Sequence, residues 1–308
     1  MSREGWRTTG HWGMKSMPDT SYGFIGLGNM GAPMCANLCA AGYAPAVFDA
    51  AGTAERAPDG TTVADSVAAV AQQDTVFLSL PDGKIVASVC DEILNAPDRR
   101  VSTVVDFSTT GPQAAGEIGA ALAAGGITFV DAPVSGGKAG AIAGTVTVIA
   151  SGPDDAVAAL AGPFDAVGGN TFHVGATPGQ GQAVKLLNNF LSATAMAATS
   201  EAVQFGLGHG VAMETILDVV NVSTGRNTAS ADKFPNRVAT ETFDAGFAMA
   251  LMTKDVALYS DEVSKSGTPD SVGATMTGLW NAASAAMPGA DFTEIYKYLA
   301  DGSDGETT

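Results

Sequence analysis

Cysteine, histidine and charge are all scarce in this chain. Its 308 residues include three cysteines (Cys35, Cys39, Cys90) and three histidines (His11, His173, His209), and only 15% are charged. An odd number of cysteines without framework spacing excludes a secreted disulfide scaffold. Cys35 and Cys39, four apart on a predicted helix, have no third and fourth zinc ligand nearby, and the histidines are scattered. The thiols therefore read as small, buried and reduced, and no metal is expected. Basic residues are few: 15 Lys and Arg stand against 32 Asp and Glu, a net charge of −17. Nucleic acids and anionic membranes require clustered positive charge, so neither is expected as a partner. The acid surplus fits a cytoplasmic protein kept in solution by its charge. Long apolar runs are missing too. The longest charge-free stretch, 20–48, is interrupted by Gly23, Gly26, Gly28, Asn29, Gly31, Pro33 and Asn37. It cannot supply the roughly 18 consecutive apolar residues of a membrane span. The first 20 residues lack the apolar centre of a signal peptide and read as a disordered extension, or as sequence upstream of a start at Met14 or Met17. A serine hydrolase is excluded as well, because Ser135 has no glycine two residues before it.

What is present is ample apolar material, 46% of residues, on a length that fits about two domains. Tyr22–Ile25, Ala46–Phe48, Thr75–Leu80, Val101–Asp106, Ile127–Val130 and Val146–Ala150 are predicted strands. Helical stretches such as Ala32–Ala41 and Gln113–Ala124 alternate with them. That alternation predicts βαβ crossovers and a parallel sheet. The strands are apolar on consecutive positions, as helices on both faces require. After Pro178 the texture changes. From Gln182 to Leu207 no turn signal occurs, and Val184, Leu187, Leu191, Ala195, Ala198, Ala202 and Phe205 follow a helical period. No strand is predicted beyond it. The expected organisation is an extension at 1–20, a dinucleotide-binding domain of Rossmann type at 21–178, an all-α substrate and oligomerisation domain at 179–300 entered by the long helix, and a tail at 301–308.

Gly26-Leu27-Gly28-Asn29-Met30-Gly31 follows the first predicted strand and opens the first predicted helix. In this context Gly26 allows a tight turn, Gly28 lets backbone amides approach a pyrophosphate, and Gly31 lets helix pack on strand. The phosphates then face the amides of a helix N-terminus. The second strand ends at Asp49, where a carboxylate can accept hydrogen bonds from a ribose. A carboxylate there repels a 2′-phosphate, and 50–55 hold no arginine. NAD is thus expected over NADP.

Two stretches carry the chemistry. Asp131-Ala-Pro-Val-Ser135-Gly136-Gly137 follows a strand, so that a hydroxyl and two flexible amides can hold a carboxylate, although the same residues would also make an ordinary turn. At the head of the long helix, Lys185 and Asn189 are four apart, one above the other, with Gln182 a turn earlier. A lysine opening a largely apolar helix at a domain junction suits an acid/base whose pKa is lowered by desolvation.

Together with Leu80-Pro81, Asp106-Phe-Ser-Thr109 and Met252-Thr-Lys254-Asp255, these motifs resemble, in order, those of the β-hydroxyacid dehydrogenase family, over Tyr22 to Leu299. Asn221-Val-Ser-Thr-Gly225-Arg226 looks closer to its 3-hydroxyisobutyrate branch. The resemblance implies an NAD-dependent oxidoreductase acting on a small 3-hydroxy acid or its semialdehyde, in a homodimer or homotetramer. It implies that Lys185 is the acid/base and Asn189 holds the substrate beside it. Ser135, Gly136 and Gly137 would bind the substrate carboxylate, with Phe247 and Asp255 as further pocket residues. Leu80, Pro81, Thr109 and Lys254 would attend the cofactor. A tartronate semialdehyde reductase-like enzyme, an imine reductase and a non-catalytic nicotinamide-binding regulator are the alternatives. Lys185 and Asp49 speak against the imine reductase, and the regulator should have lost the lysine.

Overall fold

The computed structural model describes residues 20–302; the readings made for 1–19 and 303–308 lie outside them. The chain falls into two compact units, one ending at Lys185 and the other starting at Leu186. The first unit opens with β1 (Tyr22–Ile25), α1 (Gly31–Ala40), β2 (Ala46–Phe48), β3 (Thr62–Val63), α2 (Val67–Val70), β4 (Thr75–Leu78) and α3 (Gly83–Asn95). It continues through β5 (Thr103–Asp106), α4 (Pro112–Ala124), β6 (Thr128–Asp131), β7 (Val134–Ser135), α5 (Gly137–Ala143) and β8 (Val146–Ser151). It ends with α6 (Asp154–Ala159), α7 (Ala161–Val167), β9 (Gly168–Gly175) and the head of α8 (Gln180–Gly208).

The strands form one sheet in the order β3-β2-β1-β4-β5-β6-β8-β7, with β9 beside β8. Pairing is parallel from β3 to β6, and β8 runs antiparallel to β6 and β7. Consecutive residues of a strand point to opposite faces. In β4, Phe77 enters one buried cluster with Phe24, Val105 and Phe107, while Val76 and Leu78 enter a second with Ile25, Val104 and Phe129. Both faces are covered, which explains why β1 and β4 are apolar at successive positions and buried throughout. On the first face Phe77 and Phe107 stack with ring centroids 5.5 Å apart. From β1 the chain crosses to β2 on one side and later returns to β4 on the other. Such a reversal leaves a crevice at the strands' carboxyl ends.

The predicted strands are all present, with small changes at their ends. β4 stops at Leu78 rather than Leu80, ahead of Pro81, which has no N–H to donate. Three strands went unpredicted. β3 and β7 are two residues each, and β9 (GGNTFHVG) is largely exposed, so it has no apolar pattern to betray it. Pairing with β8 makes it a strand.

In the second unit α8 continues from Leu186 for the rest of its 29 residues, followed by α9 (Met213–Asn221), a π-helix (Ala229–Val238), α10 (Met249–Ser266), α11 (Ser271–Ala286), a 3-10 turn (Phe292–Glu294) and α12 (Ile295–Asp301). Trp280, Phe234, Met196, Met252 and Ile295 form its core. No helix of the described residues is long and apolar enough to cross a membrane.

Candidate functional site

The glycine turn sits at the crevice beside β1. Gly26 has φ +95°, and a Cβ there would lie 2.2 Å from the Ser79 carbonyl oxygen. At Gly31 a Cβ would lie 1.9 Å from the Gly26 carbonyl oxygen, so α1 can approach the turn only through glycine. A Cβ on Gly28, by contrast, would meet open space. That is the cradle a pyrophosphate needs: tight underneath and open above the amides. Asp49, just past β2, is already aimed at the turn. One carboxylate oxygen accepts the Leu27 N–H at 2.6 Å and the other the Ala51 N–H at 2.8 Å. The residues present therefore fit NAD. The sequence window missed one neighbour: Arg56, just beyond it, places its Nε 3.9 Å from the Asp49 carboxylate.

Across the crevice, the loops after β4 and β5 are tied together. The Leu80 N–H donates to the Ser108 hydroxyl at 2.8 Å, which places the Leu80-Pro81 loop beside the loop that holds Thr109. Beneath them Asp106 is fully buried. It accepts from the Ser108 N–H at 2.9 Å and the Thr110 hydroxyl at 2.6 Å. Burial nevertheless dominates and raises its carboxyl to about 6. Its register partner in β6 is Asp131, also buried and also shifted upward by burial. The Cys90 thiol is raised too, chiefly by its burial and then by Asp106. All three cysteines are free.

Ser135 is not on a plain turn. It ends β7, opposite Thr147, and is followed by Gly136 and Gly137 with φ +142° and +63°. Both are conformations that glycine adopts readily.

The head of α8 carries Lys185, which is 7% exposed and the only buried lysine among the described residues. On the same helix one turn later, Asn189 donates from its Nδ2 to Asp255 at 2.6 Å. A carboxylate only accepts, so this bond fixes which way the amide points. The other Asp255 oxygen lies 3.3 Å from the Lys254 Nζ, and Asp255 is 2% exposed. Asn189, Lys254 and Asp255 are thus brought together in the helical unit. Phe247 lies in the same unit. Its ring packs edge-on against Phe292, and its N–H donates to Asp291.

Sequence reasoning also missed how α8 is held. Asp131 accepts from the Gly179 N–H at 2.9 Å, the Gln182 N–H at 3.0 Å and the Ser151 hydroxyl. The Gln182 side chain, fully buried, bonds to Ser108, Thr110 and Gly111. These partners are 20 to 74 positions apart in the chain, beyond the reach of any local pattern.

Residues 21–175 match the family model described as the NAD-binding domain of 6-phosphogluconate dehydrogenase. Residues 179–299 match the one described as NAD-binding of NADP-dependent 3-hydroxyisobutyrate dehydrogenase. The chain is 36% identical to a 3-hydroxyisobutyrate dehydrogenase of Pseudomonas aeruginosa, over 90% of this chain and 98% of that one. It is 35% identical to an NAD-dependent L-serine dehydrogenase of the same organism, over 83% and 90%. Among solved structures, 3-hydroxyisobutyrate dehydrogenase of Mycobacterium tuberculosis with L-serine has a TM-score of 0.83 at 32% identity, covering 91% of this chain and 99% of that one.

Proposed function

Because the chain belongs to the β-hydroxyacid dehydrogenase family, and is therefore an NAD-dependent oxidoreductase acting on 3-hydroxy acids, we propose that it oxidises 3-hydroxyisobutyrate or a close analogue, with Lys185 as the acid/base. The observation that carries this reading is the burial of Lys185 at the head of α8 in a chain whose other described lysines are not buried. The substrates named for its relatives have one skeleton in common. 3-Hydroxyisobutyrate, L-serine and 2-(hydroxymethyl)glutarate all carry a CH₂OH group on the carbon next to a carboxylate. The substrate assigned here is that skeleton with a small third substituent, and its product is the corresponding semialdehyde.

NAD bound over Gly26 to Gly31 supplies the hydride acceptor for oxidation and its reduced form the donor for the reverse. Leu27, Asn29 and Met30 complete that turn, and Asp49 holds the adenosine ribose. Leu80, Pro81, Thr109 and Lys254 are assigned to the rest of the cofactor. Ser135 and the Gly136 and Gly137 amides take the substrate carboxylate. The Lys185 amine removes the hydroxyl proton in oxidation and returns it to the carbonyl oxygen in reduction. Asn189, oriented by Asp255, holds the reacting oxygen, and Phe247 and Asp255 border the substrate. In this assignment 21–178 bind the cofactor, and 179–300 serve the substrate and assembly.

A homodimer or homotetramer is proposed as well. Leu187, Leu191 and Phe205 stand 43%, 60% and 70% exposed along α8, an apolar row of the kind that marks contact surfaces. Three free cysteines fit a cytoplasmic location.

Steady-state kinetics on a panel of 3-hydroxy acids tests the assignment. Lys185→Ala should lower turnover by about 10²–10⁴-fold, the worth of a positioned acid/base, while NAD binding measured by titration persists. Turnover near that of the parent in this variant removes Lys185 from the role.

A further inference from the structure

We propose that Gln182 is a positioning residue that fixes the helix turn carrying Lys185 to the cofactor-side loop holding Thr109, with Asp131 as the anchor of the joint. The proposal rests on the assignment of Lys185 as the acid/base. Its basis is a set of hydrogen bonds that converge on one side chain. Gln182 Oε1 accepts from the Thr110 N–H at 2.9 Å and the Gly111 N–H at 3.3 Å. Its Nε2 donates to the Ser108 carbonyl oxygen at 3.0 Å. The bonds bracket Thr109, one partner preceding it and two following. Two N–H groups facing one end of the amide and a carbonyl facing the other leave a single orientation for it.

The backbone of the same residue is held as firmly. Its N–H donates to Asp131, and the Gly181 N–H donates to the Ser151 hydroxyl at 2.9 Å, which in turn donates to Asp131. The first amides of a helix have no partner within it. Here a carboxylate and a hydroxyl from β6 and β8 satisfy them, with a favourable charge at the positive end of the helix. Gln182, Asp131 and Ser151 are all fully buried. Lys185 lies one turn beyond Gln182 on the same helix, so any tilt of the helix head moves the amine relative to the loop.

No other side chain of this size both accepts from two amides and donates to a carbonyl. Leucine does neither. Glutamate accepts, and donates to Ser108 only when protonated. Around such a glutamate stand Asp131 of β6, Asp106 of β5 and Lys185 of its own helix. Burial and the two aspartates raise its pKa, and Lys185 opposes them.

The test compares the whole enzyme with its Gln182→Leu and Gln182→Glu variants, with Lys185→Ala as a control. Amide exchange, measured without NAD, should quicken at Thr110 and Gly111 in Gln182→Leu. Its kcat should fall by about tenfold to a hundredfold, as misplacement by an ångström can cause, while NAD affinity stays within about twofold. In Gln182→Glu the ratio of variant to parent kcat should climb as pH falls, because only the protonated acid restores the bond to Ser108. A residue that merely fills space gives no such dependence. If Gln182→Leu does not fold, the glutamate variant decides: a ratio flat with pH overturns the proposal. Parental kcat and parental exchange in Gln182→Leu overturn it as well. Full turnover in Lys185→Ala would instead sink the assignment of the acid/base. An inactive Lys185→Ala beside unaffected Gln182 variants would sink the positioning role alone.

Discussion

Asp49 illustrates how a residue's neighbours set its selectivity. Its carboxylate is held by two backbone amides, and Arg56 stands within 4 Å of it; in the proposed assignment it would face the ribose and repel a 2′-phosphate. Asp49→Asn removes the repulsion and leaves Arg56 available to pair with phosphate. NADP should then bind about tenfold or more tightly relative to NAD, the scale of one charged hydrogen bond. Calorimetric titration with both nucleotides checks this, and an unchanged preference would show that Arg56 is out of reach. Asp106 makes a second case. Its carboxyl is raised from the usual range to about 6 by burial, so the folded state favours its protonated form. That contribution is full below the unfolded value near 4 and is lost as pH rises through 6, a difference of about 3 kcal/mol. Asp106→Asn should therefore gain melting temperature relative to the parent at pH 7.5, and the gain should shrink at pH 5. A gain independent of pH would mean that Asp106 does not titrate there. Residues of this kind differ in how far sequence reveals them. The glycine turn and Asp49 announce themselves by spacing. Asp106, Asp131 and Gln182 do not, because their partners come from strands and loops that only the sheet order brings together.

At the scale of elements, the junction of α8 with the sheet is a tight seam. A Cβ on Gly181 would lie 2.5 Å from the Ile149 carbonyl oxygen and 2.7 Å from an Asp131 oxygen. Neither neighbour is the free end of a flexible chain. Gly181→Ala must push the helix head outward, and it should destabilise the protein by about 1–3 kcal/mol, as overpacking does. A chemical denaturation curve measures this, and a loss below half that range would mean the seam yields. The buried strands are legible because burial on both faces imposes an apolar pattern, and the long helix because an apolar row recurs at the helical period, although Leu187, Leu191 and Phe205 of that row stand exposed. β9 escapes because it is an edge strand: most of its side chains are exposed, so its identity lies in backbone pairing with β8. Ala229–Val238 lies in the stretch expected to be all-α, and only its π form, with Pro235 inside it, comes from the structure.

For the whole molecule, the apolar row on α8 and the charge of −17 pull in opposite directions. Self-repulsion opposes assembly, so the uncharged row is where copies would meet. Leu191→Glu together with Phe205→Glu should shift the molar mass measured by light scattering towards the monomer. An unchanged mass would place the contact on another surface.

The three bonds made by the Gln182 side chain join uncharged groups sealed from water. Mobile ions can screen the acidic exterior, but they have no access to a neutral amide in a dry joint. Changes in electrolyte should therefore alter how readily anionic molecules approach the chain, while the spacing between Ser108, Gly111 and the start of α8 stays the same in dilute buffer and in brine.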